Sequence, residues 1–122
     1  MDISLGGIDA TLTRPGHMAT LALSDMLQER TDFHGRTAIA AAAMRICWPA
    51  DRKWPGTRRP LDWSIRTHLL DYGAECYETL SELPDEQVLP VLFEALRFAL
   101  ESRLTEEAVR EAEGFTGATE GD

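Results

Sequence analysis

The chain is short of the features that mark most reaction centres. It has two cysteines, Cys47 and Cys76, and neither belongs to a CxxC pair. A disulfide framework is therefore not expected, and two reduced thiols serving as small core hydrophobes are. The three histidines, His17, His34 and His68, fall in no HExxH, HxxxH or Cys/His cluster, so no metal ligands are assigned. Gly6-Gly7 lacks the Lys-Ser/Thr that follows in a phosphate loop, and it opens a strand rather than a helix. There is no GxSxG motif and no Cys–His arrangement for a nucleophile. No run approaches the roughly 18 apolar residues of a membrane span. MDISLGGIDA has neither a basic n-region nor an apolar h-region, so no secretory signal is expected. These absences point to a non-catalytic, cofactor-free protein that is soluble and intracellular.

What is present is a 122-residue chain with 43% apolar and 27% charged residues, enough for one domain with a modest core. The net charge of −9 is unevenly placed. Residues 1–66 carry nine basic and seven acidic side chains, whereas residues 67–122 carry three basic and fourteen acidic. All three tryptophans and three of the six prolines lie in CWPADRKWPGTRRPLDW, residues 47–63. An acidic protein is a poor general ligand for nucleic acid, although Arg52, Lys53, Arg58 and Arg59 keep a local exception open.

The pattern along the chain predicts a mainly α fold, with an N-terminal β-hairpin packed on a bundle of four to five helices. Ile3 and Leu5, then Gly6-Gly7, then Ile8, Ala10 and Leu12 form an alternating hairpin signal within residues 2–13. In that register Leu5 faces Ile8 and Ile3 faces Ala10, leaving one apolar face. A lone hairpin is marginal in water, so this face must lie on the helices or pair with another chain. Helices are expected across 15–113. The first starts near Pro15 and carries Met18, Leu21, Ala22, Met26 and Leu27 at helical spacing. After a break at Thr31-Asp32, an alanine-rich helix runs from Phe33 to Ile46, with a composition that permits close helix–helix approach. Trp48-Pro49 closes it.

Asp62 is a candidate N-cap for a third helix, whose apolar stripe is Ile65, Leu69, Tyr72, Cys76 and Leu80. Its opposite face holds Asp71, Glu75, Glu78 and Glu82. Such spacing suits paired carboxylates, but a solvated helix face is the commoner meaning. A fourth helix through Val88, Leu92, Leu96, Ala99 and Leu100 reaches about Arg103, with Pro90 either kinking it or marking its first turn. Thr105 caps a last short helix that Gly114 ends. The single domain thus covers 1–114, and 115–122 reads as a disordered acidic tail.

Trp and Arg are the side chains most enriched at binding hot spots. Trp48 and Trp63, at helix ends, are expected in the core. Trp54, amid proline and glycine and beside Lys53, is the better contact candidate, together with Arg52, Lys53, Arg58 and Arg59. Arg58 and Arg59 have a second reading, as partners of the acidic half of the same chain or of a neighbouring subunit.

The order of these pieces resembles the tail assembly chaperones of long-tailed phages and the related small proteins of gene transfer agent clusters. The likeness is carried by ISLGGIDATLTRP leading into a helix, RICWPADRKWP closing an apolar helix on a basic loop, LDYGAECYETL, and the acidic LTEEAVREAEGF. It spans about residues 3–115. The resemblance implies a non-catalytic protein of the host cytoplasm that binds the tape-measure and tail-tube proteins and is absent from the mature virion. It also implies, for some members, a longer frameshifted form. It supplies no catalytic residues. Met18 and Met26, adaptable side chains on the first helix, join the loop residues as partner-binding candidates. Rival readings are a small acidic phage-encoded inhibitor of a host or defence protein, and a weak nucleic-acid binder using the 52–59 loop. A homo-oligomer is open under any of them.

Overall fold

The computed structural model describes residues 1–101. β1 (Asp2–Leu5) and β2 (Ile8–Thr11) pair antiparallel with Leu5 opposite Ile8 and Ile3 opposite Ala10, as the alternation predicts. Gly6 and Gly7 adopt φ of +59° and +76°, the left-handed pair that a two-residue hairpin turn of this hand requires. Leu5, Ala10 and Leu12 are buried in the core, with Ile3 and Ile8 partly buried against it. Asp2, Ser4, Asp9 and Thr11 point to water. The hairpin lies on the helices of its own chain: the Thr13 amide donates to the Cys47 carbonyl at 3.0 Å.

Helix α1 (His17–Glu29) begins after Gly16 and has no side-chain cap. It buries only Ala19, Thr20 and Leu23. Helix α2 (Phe33–Cys47) is capped by Asp32, whose carboxylate accepts from the Gly35 amide at 3.0 Å. That bond, with help from Arg30, holds the Asp32 carboxyl below its ordinary pKa. Every residue from Thr37 to Arg45 is buried, so α2 is the central helix. Its alanines let α3 (Leu69–Thr79) come very close. A Cβ on Gly73 would overlap the carbonyl of Ala38, and glycine is the one residue that fits there. The fourth helix, α4, occupies residues 85–101, and its first turn is fixed by the Pro84 carbonyl accepting from the Gln87 and Val88 amides.

Two sequence expectations need correction. The third helix does not start at Asp62 but at Leu69. Asp62 caps nothing; its carboxylate is taken by Arg45 of α2, and Arg45 Nε donates to the Pro60 carbonyl at 3.1 Å. Asp62 is thereby tied to α2, residues 61–68 have no helix or strand, and Ile65, expected in the apolar stripe, is 70% exposed. Leu69, Tyr72, Cys76 and Leu80 keep the remainder of the stripe buried. Pro90 does not open the fourth helix either. That helix starts at residue 85, so Pro90 falls within its second turn.

One hydrophobic core joins the hairpin, α1 to α4 and the 48–54 stretch. The fold is mainly helical with an N-terminal antiparallel hairpin, as expected, and it has four helices among the described residues. The helix expected at 105–113, the boundary at 114 and the tail 115–122 lie outside them.

Candidate partner-binding surface

The Trp/Arg segment between α2 and α3 is pinned to the body at three points. Trp48 is buried, with its indole N–H donating to the Arg52 carbonyl at 3.2 Å. Trp54 packs edge-on against Trp48, ring centroids 5.2 Å apart, and its N–H donates to Thr79 Oγ1 at 2.9 Å. Beyond it the Thr57 amide donates to the Thr79 carbonyl at 2.7 Å. Gly56 makes this approach feasible, since a Cβ there would stand 2.6 Å from that same carbonyl oxygen. Pro60 is fully buried as the third anchor.

Trp54, the leading contact candidate from the sequence, is thus only 2% exposed and is a core residue. A Pro/Gly loop suggested exposure; a hydrogen-bonding site for the indole on the end of α3 overrode that suggestion. Trp63, by contrast, is partly buried, with its N–H on the Thr67 carbonyl. The basic residues Arg52, Lys53, Arg58 and Arg59 are all exposed. Arg58 pairs with Glu75 of α3 at 2.7 Å, the intrachain pairing that its charge suggested. Arg59 donates to the Arg52 carbonyl at 3.1 Å, which brings those two residues together. The loop's cations are therefore partly spent on holding the loop itself.

Helix α1 presents the more open apolar surface. Met18 is 56% exposed, and Leu21, Ala22 and Met26 are only partly buried. Spaced three, four and eight residues on from Met18, these side chains share one side of the helix. Met18 is available to a partner, and Met26 half so, because it also packs against the core.

The group around Arg45 does not stand out in the sequence. Its side chain is 5% exposed, although its carboxylate partner Asp62 is 87% exposed. A cavity of about 350 Å³ opens beside it, lined by Ala19, Ile46, Trp48, Ala50, Arg59, Asp62, Trp63 and Tyr72 as well as Arg45. The Tyr72 hydroxyl is the one buried side-chain polar atom without a hydrogen-bond partner among the described residues. Burial raises its pKa above the ordinary phenol value; the neighbouring Cys76 thiol and Asp62 add to this and Arg45 opposes it. The signal that could have found this group is an arginine inside the otherwise apolar run IAAAAMRIC. Among the described residues no cluster of His, Cys, Asp and Glu is placed to hold a metal ion, and no helix is long and apolar enough to cross a membrane.

Comparison of the chain with protein-family models, curated proteins and solved structures returns no match.

Proposed function

We propose that the protein is a tail assembly chaperone of a long-tailed phage, acting without catalysis by binding the tape-measure and tail-tube proteins in the host cytoplasm and leaving before the virion matures. The reading rests on the order of motifs described above. The observation that supports it best is the α1 strip, with Met18 exposed and Leu21, Ala22 and Met26 partly open on a helix that buries only three of its residues. Flexible methionine side chains on an under-packed helix suit a long apolar helical client. The net charge of −9 would keep such a complex in solution.

The basic-loop alternative draws less support, because Arg58 and Arg59 are engaged with Glu75 and the Arg52 carbonyl. The inhibitor alternative is not favoured by any particular contact. Co-expression with a phage tail-tube protein and a tape-measure protein tests the proposal. Co-purification of either supports it; their failure to co-purify, alongside stoichiometric capture of a host enzyme, replaces it with the inhibitor reading.

A further inference from the structure

The cavity beside Arg45 has the make-up of a ligand site. Its volume, about 350 Å³, falls at the lower end of the range typical of small-molecule pockets. Two indoles, Trp48 and Trp63, with Ile46, Ala19 and Ala50, supply apolar walls. Arg45 supplies a buried cation and Arg59 a second one at the surface. Tyr72 lines the cavity too, and its buried hydroxyl has only the Cys76 thiol, a weak acceptor, beside it.

The carboxylate that now answers Arg45 comes from an exposed side chain on an irregular stretch between the buried Pro60 and the core-packed Trp63. Asp62 is largely in water, and the residues around it, 61–68, have no helix or strand. Apart from Arg45, the hydrogen bonds of this stretch among the described residues are local: Trp63 to the Thr67 carbonyl, the Thr67 amide to the Ser64 carbonyl at 2.9 Å, the Ser64 and Thr67 hydroxyls to each other, and the Tyr72 amide to the His68 carbonyl. Leu61 and Ile65 on either side of Asp62 are exposed. A buried guanidinium requires an anion, since an uncompensated buried charge is strongly unfavourable. The Pro60 carbonyl and the Trp54 ring also face the guanidinium, but among the described residues Asp62 is the one carboxylate paired with it.

We propose that the Arg45 cavity binds a carboxylate carried on an aromatic or apolar body, and that Asp62 is a resident carboxylate the ligand displaces. The ligand's carboxylate takes the place of Asp62 on Arg45 and gives the Tyr72 hydroxyl an acceptor, while its body lies between Trp48 and Trp63. The source is either a free aromatic acid or the C-terminal carboxylate of a polypeptide ending in an aromatic residue. This site is separate from the α1 strip, and the proposal does not depend on the chaperone reading.

The test uses the full chain with phenylacetate, and with a short peptide ending in phenylalanine as the free acid and as the amide. Binding is read by tryptophan fluorescence and by the shift in thermal midpoint, on the wild type, Asp62→Asn and Tyr72→Phe. Asp62→Asn removes the competitor and should bind about tenfold more tightly, the equivalent of about 1.4 kcal/mol. It should also show the larger thermal shift, because the ligand then neutralises an Arg45 left without its partner. Tyr72→Phe, which keeps the ring, should bind more weakly. Tighter binding of phenylacetate than of the peptide acid assigns a small-molecule source, and the reverse assigns a chain terminus. Equal binding of the peptide amide and the free acid would overturn the proposal. So would the lack of saturable binding to folded Asp62→Asn at millimolar concentration.

Discussion

The Trp54 indole donates to the Thr79 hydroxyl at 2.9 Å, and that hydroxyl donates in turn to the Cys76 carbonyl at 2.6 Å. This relay fastens the loop after α2 to the C-terminal end of α3. The loop is therefore part of the folded body, and its tryptophan is a rivet between elements rather than a surface contact. Trp54→Ala removes a buried indole and should cost about 3–5 kcal/mol in urea unfolding, whereas surface changes in the same loop, such as Lys53→Ala, should stay within about 0.5 kcal/mol. Thr79→Val keeps the volume but leaves the indole N–H unanswered, a loss of about 1–3 kcal/mol.

The contact of Gly73 with Ala38 sets the spacing of α2 and α3. Gly73→Ala should destabilise by about 1–3 kcal/mol or more, despite the better helix propensity of alanine, because the added methyl meets backbone rather than a side chain that can move. For the same reason Ala38→Gly should not rescue it, since the carbonyl remains. Thermal melts of the two single variants and the double variant check this.

Both cysteines are fully buried, and burial pushes each thiol up to about 12 from an ordinary 9.0. A folded-state pKa raised in this way leaves stability intact below the unfolded value and removes it as pH rises toward the folded one. Urea midpoints should therefore be insensitive to these groups below about pH 9 and fall progressively between about pH 9 and 12. Tyr72 and Tyr77 act in the same direction from about pH 10, Tyr72 chiefly through burial and Tyr77 through donating to Asp85 at 2.7 Å. At neutral pH a thiol reagent should label Cys47 and Cys76 only at the rate at which the protein opens.

Replacing Arg58 and Arg59 together by alanine removes an exposed ion pair with Glu75 and a bond to the Arg52 carbonyl. Exposed pairs contribute little, so stability should change by about 1 kcal/mol or less. Under the chaperone reading client binding should persist, and neither form should be held on DNA at physiological salt. Salt-sensitive DNA retention of the wild type, lost in this variant, would instead favour the nucleic-acid reading.

What could be read from the sequence was local. The hairpin register follows from alternation about Gly6-Gly7, and the capacity of α2 for close helix approach from its alanines, because both signals act over a few residues; that α3 is the partner, through Gly73, is not legible there. The start of α3 and the burial of Trp54 are not legible there, because the deciding contacts are distant. Asp62 looked like a helix cap until Arg45, seventeen residues earlier, claimed its carboxylate. Trp54 looked like a loop residue until Thr79, twenty-five residues later, accepted its N–H. The cavity at Arg45 and Tyr72 was illegible for the same reason, since its walls come from α1, α2, α3 and the 48–63 stretch.

Calorimetric titration of a recombinant tape-measure segment into the wild type and Met18→Glu tests whether α1 carries the client surface. Met18 is exposed, so the variant should keep the wild-type melting temperature while its affinity falls by about tenfold or more, as for loss of a hot-spot contact. Equal affinity for the segment in the two proteins, with both folded, would contradict the account.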